Sequence, residues 1–450
     1  MTRKRADALV VGAGAAGLAA ARDLSQAGLA VTIVEARNRI GGRIFSVHDS
    51  NAPLPIELGA EFVHGEAAET FRIIKAAQLV VAQLPDDHYG SRAGKLAPLG
   101  DYWRRIQTVQ RDIHRRMIRN GDGDFSFADY LQRAKLAPDM RQMAVDFVEG
   151  YHAAHVERVS AQFLTVGDEE TDSDRGNEQF RIVSGGDALA QWLKNGLSPD
   201  RTELRLNTVA LALEWSAGRV TLRCAHRTGA LLEPFRARAI VIAVPHAVLR
   251  ANALGFDPEL PDKRRAVERL EVGQVFKVVL RFRESFWEAE DFLSDRLAQR
   301  RADPPELNFV HAHDAAIPTW WTSLPARVPI LTGWAGGPRA EAVLAKSEGD
   351  RIAQTLGALS QAFAIPRARL DELLESWILH DWRADPFSRG AYSYPGVGGI
   401  GAQRALAKPV QSTLFFAGEA TDVEQTATVA GAIASGRRAA REVIAALGEG

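Results

Sequence analysis

The 450-residue chain has a single cysteine, Cys224, which excludes an internal disulfide and any thiolate cluster for zinc or iron–sulfur chemistry. It lacks any run of ~18 consecutive apolar residues, so no membrane-spanning helix is expected. It has no excess of charge: 55 lysines and arginines stand against 56 acids, for a net charge of −1. No global field therefore draws in nucleic acid or an anionic membrane. Internal repeats and low-complexity linkers are missing too. The start, Met1-Thr2-Arg3-Lys4-Arg5, is basic, but the apolar run after it, Ala8–Val11, breaks into a glycine-rich turn. A secretory signal would continue that run for ~7–15 residues. The expectation is a cytoplasmic protein of a reducing compartment.

What is present is ordinary globular material. Hydrophobic residues make up 46% and charged ones 25%, which excludes wholesale disorder. At ~100–200 residues per domain the length predicts two or three domains. The first forty residues are the most informative. Asp7–Val11 reads as a buried parallel strand, Gly12-Ala13-Gly14-Ala15-Ala16-Gly17 as a turn, and the residues to about Ala27 as an alanine-rich helix. Leu29–Val34 reads as a second strand ending at Glu35. In such a unit the first glycine allows the turn, the second lets backbone approach a pyrophosphate, and the third lets helix pack on strand. The helix N-terminus offers free N–H groups and a positive dipole end. Glu35 stands where an acid can bind ribose hydroxyls and would repel a 2′-phosphate, which disfavours NADP. NAD and FAD remain equal on this motif.

The next segment separates them. Glu35-Ala36-Arg37-Asn38-Arg39-Ile40-Gly41-Gly42-Arg43 resembles the second flavin-binding motif of the FAD-dependent amine oxidases, a family of monoamine, polyamine and L-amino-acid oxidases and histone demethylases. Glu57–Gly65 resembles the family's flavin-side strand and turn, and Gly273–Trp287 the strand carrying its lysine. Asp381–Gly390, leading into Ala391-Tyr392-Ser393-Tyr394, and Phe415–Glu419, leading into Thr428–Gly436, match as well. The matches run in order along nearly the whole chain.

The resemblance implies an α/β fold: a Rossmann-like FAD-binding domain of discontinuous segments (1–70, 180–274 and 386–450) with an inserted α+β substrate domain (71–179 and 275–385). The sequence agrees on its own terms. Tyr102, Ile106, Val109, Ile113 and Met117 repeat at helical spacing over 102–118, with arginines on the other face. Residues 204–246 instead alternate short apolar runs with turns.

By resemblance, FAD is held non-covalently by Gly12, Gly14, Ala16, Gly17, Glu35, Ala36, Arg37, Gly42, Arg43, Gly59, Ala60, Glu61, Val209, Trp382, Gly418, Glu419, Thr428 and Val429. Ala391 stands where covalently flavinylated members have a cysteine, and Cys224 is far from any flavin motif. No metal is implied. Lys277, Tyr392 and Thr428 take the catalytic positions. On strand pattern alone Lys277 shares a polar face with Arg281, opposite Phe276, Val278, Leu280 and Phe282, and reads as solvated; the resemblance places it beside the flavin. Tyr392 matches one aromatic wall of the family's amine cage. Thr428 aligns with the second wall, a tyrosine in monoamine oxidases, so the full sandwich is absent. His64 and Tyr394 are weaker substrate candidates, with Glu61 and Glu66 flanking the histidine.

The acidic run 168–174 and the arginines of 104–119 read as solvated faces. The implied reaction is oxidation of an amine to an imine by hydride transfer to flavin N5. Dioxygen then regenerates the flavin and yields hydrogen peroxide, and the imine hydrolyses to aldehyde or ketone plus amine or ammonia. The implied partners are a small amine and dioxygen, with no nucleic acid and no membrane, and a homo-oligomer is left open. The alternatives are an L-amino-acid oxidase, a desaturase or porphyrinogen-type flavoprotein, and a flavin-bound scaffold without turnover.

Overall fold

The computed structural model describes residues 6–65, 67–120, 123–165, 178–297 and 306–448. The acidic run 168–174 and Glu66 lie outside the described residues. Ala8–Val11 is buried at every position, as a strand with both faces covered must be. It pairs in parallel with Val31–Val34 on one side and Ala239–Ile242 on the other. Thr202–Arg205 and Leu414–Phe416 complete a five-stranded parallel sheet at its two edges.

Two helices, Ala15–Gln26 and Val429–Gly448, cover one face. They approach closely because alanine and glycine fill their contact. A side chain on Gly436 would collide with the Ala16 carbonyl, and one on Gly17 with the Gly12 carbonyl. The other face is covered by a four-stranded sheet of Phe235–Ala237, Arg219–His226, Thr208–Ser216 and Gly255–Asp257.

A seven-stranded sheet forms the second half, in the order Leu374–Leu379, Val275–Phe282, Ile330–Gly336, Thr319–Thr322, Phe309–His311, His88–Arg92 and Lys95–Pro98. Its pairs are antiparallel except Phe309–His311 with His88–Arg92. The solvated face read from alternation in 275–282 is not there. Phe276, Val278, Leu280 and Phe282 pack under the helices Gly337–Leu344 and Glu348–Phe363. Val279, on the face of Lys277, packs against Ile56 and Leu58 from the flavin-side strand and turn. Alternation reports a wet face only when nothing folds back over it, and here a distant segment does.

Tyr102–Asn120, Phe127–Arg133 and Pro138–Gly150 add a helical cluster with its own core around Ile106, Val109 and Ile113. Arg104 is solvated as expected, whereas Arg105 pairs with Asp139 at 2.7 Å and lines the central cavity. Among the described residues no helix is long and apolar enough to cross a membrane, and no group of His, Cys, Asp and Glu side chains could hold a metal ion.

Candidate active site

A cavity of about 1670 Å³ runs from the first glycine turn to the seven-stranded sheet. Gly12, Gly14, Ala16, Glu35, Ala36, Arg37, Gly42, Arg43, Gly59, Ala60, Glu61, His64, Val209, Lys277, Trp382, Tyr392, Gly418, Glu419, Thr428 and Val429 all line it, drawn together from both ends of the chain. Two expected residues do not. Gly17 lies behind the turn, where it lets the helix pack on the strand. Tyr394 is a correction: it is buried in the helical cluster, its hydroxyl accepting the His155 N–H at 3.3 Å. Strand geometry begins only at Ser393, so Tyr392 and Tyr394 do not share a face.

The inner end is built for an anionic dinucleotide. The helix Ala15–Gln26 has no side-chain cap and no acid in its first turn. Gly14, Ala15 and Ala16 line the cavity, so it opens at the start of this helix, whose leading N–H groups have no partner within the helix. Glu35 accepts the Ala13 N–H at 2.8 Å and the Arg37 N–H at 2.9 Å, fixing the turn while keeping lone pairs for ribose hydroxyls. Arg37 is tied to Asp385 at 2.8 Å and to Ser388. Arg43 donates to the Ala391 carbonyl and to Glu419 at 3.0 Å, and Ser393 donates to Glu419 at 2.6 Å. Burial works against ionised Glu419, but Arg43 holds its carboxyl below the ordinary value. His246, which sequence reasoning missed, lines this end with its buried Nδ1 unpartnered; burial pushes its imidazole down to about 4. An uncapped helix start and an orphaned buried nitrogen facing one cavity fit FAD. Cys224 is packed in the core beneath the parallel sheet and does not line the cavity, so it offers the flavin no covalent link.

The outer end is aromatic. Phe62, Trp103, Phe147, Tyr151, Trp321, Trp334 and Tyr392 line it. Tyr392 is fixed by donating its hydroxyl to the Tyr151 carbonyl at 2.7 Å, and Trp382 by donating its indole N–H to the Leu58 carbonyl at 2.9 Å. His64 lies edge-on to Phe62 and Tyr151, and burial pushes it down to about 4, so it is neutral near pH 7. Thr428 lines the cavity but its hydroxyl accepts the Gly431 N–H at 3.0 Å, which makes it the cap of the long C-terminal helix.

Lys277 is only 3% exposed. It donates to Glu61 at 2.6 Å and to the Gly59 carbonyl at 3.1 Å. Glu61 also receives Arg181 and, at 3.1 Å, the Trp321 indole N–H. Burial pushes the Glu61 carboxyl upward, but the charges of Lys277 and Arg181 outweigh it and hold the group down at about 2. Arg181 and Trp321 carry no motif, and only their pairing with Glu61 in space reveals them.

A parallel dinucleotide sheet opening on a second sheet that presents a buried lysine and an aromatic slot is the architecture of a two-part flavoprotein oxidoreductase. Residues 15–444 match the family described as flavin containing amine oxidoreductase, and the chain belongs to it. It is 30% identical over 471 residues to polyamine oxidase 3 of Oryza sativa subsp. japonica, covering 97% of this chain and 88% of the relative. Lysine-specific histone demethylase 1 homolog 3 of Arabidopsis thaliana is 26% identical over 512 residues, and the match takes in 98% of this chain but 30% of that protein. Among solved structures, cyclohexylamine oxidase from Brevibacterium oxydans IH-35A superposes with a TM-score of 0.79 at 20% identity, covering 99% of this chain and 100% of that one. Wild-type putrescine oxidase bound to putrescine gives 0.79 at 20% identity, covering 98% and 99%. At such identity these structures show the shared fold.

Proposed function

We propose that the protein oxidises an amine to an imine, passes the electrons to dioxygen as hydrogen peroxide, and releases an aldehyde or ketone after hydrolysis. The observation that carries this reading is the buried Lys277, brought by folding into one cavity with the dinucleotide turn and an aromatic slot. Bound FAD supplies the ring that accepts a hydride from the carbon beside nitrogen. The chain's own residues do the rest. Tyr392 presents a ring face to the amine, held in plane by its bond to the Tyr151 carbonyl. The aromatic walls exclude water and align the reacting C–H bond. Thr428 and Val429 bring the positive end of the C-terminal helix to the cavity, which favours negative charge on a reduced ring. Lys277 is held against the slot by Glu61 and the Gly59 carbonyl.

In this reading residues 1–70, 180–274 and 386–450 bind FAD, residues 71–179 and 275–385 bind the amine, and the setting is a reducing cytoplasm. An amino-acid oxidase would need an arginine free for a carboxylate. Arg37, Arg43 and Arg105 are engaged by Asp385, Glu419 and Asp139, while Arg92 and Arg389 also line the cavity, so an amino acid belongs in the substrate panel. The test is anaerobic mixing of the FAD-loaded protein with benzylamine, cyclohexylamine, putrescine, spermidine, a methylated lysine peptide and L-leucine. Amines are expected to bleach the absorbance near ~450 nm common to flavins, with peroxide appearing on readmission of air. Bleaching by L-leucine alone supports the amino-acid oxidase. A yellow protein that no amine bleaches ends the proposal.

A further inference from the structure

Four side chains from four separate segments meet at Glu61. The glutamate comes from the turn after Ile56–Glu57, Arg181 from the strand Gln179–Ile182, Lys277 from Val275–Phe282 and Trp321 from Thr319–Thr322. Phe62 and Arg181 are register partners, so the pairing of Phe62–His64 with Gln179–Ile182 sets the guanidinium beside the carboxylate. The exposures of Lys277, Glu61 and Arg181 are 3%, 6% and 12%, so the cluster is dry. One Glu61 oxygen takes Arg181 and the Trp321 N–H, and the other takes Lys277. The neighbouring acid, Glu57, is turned to the Ser46 hydroxyl and the Gly186 N–H. A lysine ammonium has three donors, and two are committed to Glu61 and the Gly59 carbonyl. The third is left for the cavity that Lys277 lines.

Glu61 was expected to contact FAD, yet both its oxygens are occupied by side chains. We propose that Glu61 is a positioning residue: with Arg181 and Trp321 it clamps Lys277 as a fixed cation at the cavity wall, and that cation serves the dioxygen half of the reaction. The inference rests on the amine oxidase reading. In that half, dioxygen takes two electrons and one proton from the reduced flavin and a second proton from solvent to become hydrogen peroxide. Negative charge develops on oxygen as the electrons arrive, and a preorganised cation in a dry slot stabilises it without reorganisation.

The experiment reduces FAD-loaded protein by light under anaerobic conditions, with no amine, and mixes it with oxygenated buffer. It therefore decides the proposal even if no amine proves to be a substrate. Glu61→Gln is expected to slow reoxidation by at least about tenfold. Lys277→Met should slow reoxidation at least as much, and on the Lys277→Met background Glu61→Gln should add nothing, because the glutamate acts through the lysine. Sulfite, an anion that adds to the flavin ring, reports the nearby charge without turnover: its affinity should fall at least about tenfold in Lys277→Met, which loses a cation, and should not fall in Glu61→Gln, which loses an anion. Trp321→Phe removes a single bond to Glu61 and should slow reoxidation by about threefold. It decides the question if Glu61→Gln fails to hold FAD. Wild-type reoxidation in Glu61→Gln, or in Trp321→Phe where that variant stands in, would overturn the proposal. So would a Glu61→Gln effect that persists in full without Lys277.

Discussion

Glu35 shows how much one side chain carries here. Each of its oxygens accepts a backbone N–H, from Ala13 and from Arg37, within a site that is almost fully buried. Glu35→Ala strands two buried donors, so the FAD-free protein should lose about 2–4 kcal/mol in urea unfolding, and FAD should bind measurably more weakly in a fluorescence titration. His246 makes a prediction about pH. Its folded pKa is pushed down to about 4 from 6.5, so between those values the unfolded chain holds the extra proton. Its contribution is complete above about pH 6.5 and is lost as pH falls toward 4, by up to about 1.4 kcal/mol per pH unit. The thermal midpoint of the apo form should fall with pH in that window, and His246→Gln should remove only its own share of the slope, since burial also pushes His64, His152 and His311 down. Glu35 was legible from its spacing after the glycine turn, because turn, helix and strand lengths are local quantities. His246, Arg181 and Trp321 were not, because their roles depend on contacts between segments that no local pattern joins.

Among the elements, the strand Val275–Phe282 was legible as a strand and misread as to exposure. Its alternation is real, but the second face meets Ile56 and Leu58, over two hundred residues away in sequence. The pairing of Ala15–Gln26 with Val429–Gly448 was likewise hidden, although the first of the two was readable as an alanine-rich helix. Gly436 sits where any side chain meets the Ala16 carbonyl. Gly436→Val should push the two helices apart, costing about 1–3 kcal/mol, read as a lower thermal midpoint with loss of flavin during gel filtration. Thr428→Ala removes the helix cap and should cost about 1 kcal/mol, whereas Thr428→Ser keeps the accepting oxygen and should stay near wild type. A Thr428→Ser protein as unstable as Thr428→Ala would show that the methyl group, rather than the cap, is what matters.

Across the whole molecule, the two sheets meet along a seam of polar bonds. Lys277 reaches Glu61 and the Gly59 carbonyl, and Trp382 donates to the Leu58 carbonyl. FAD in this cavity adds contacts to both sides, so it should stabilise the fold by mass action, about 2.7 kcal/mol at a concentration 100 times its dissociation constant. Melts across an FAD titration should therefore climb with concentration. A midpoint indifferent to FAD would show that the folded chain does not bind it. The general architecture was readable from the chain because the motifs occur in order from end to end. The seam was not, since it consists of side chains whose partners are chosen only when the two sheets close.

The parallel sheet has a further consequence for biosynthesis. Its opening strand, Ala8–Val11, leaves the ribosome with one neighbour close behind it, yet the other, Ala239–Ile242, and the flanking Leu414–Phe416 are translated far later. The nascent chain thus presents its first glycine turn long before Val429–Gly448, the helix that packs beside Ala15–Gln26, exists. Until those strands are made, the unpaired edges of Ala8–Val11 and Val31–Val34 are surfaces for a chaperone to guard.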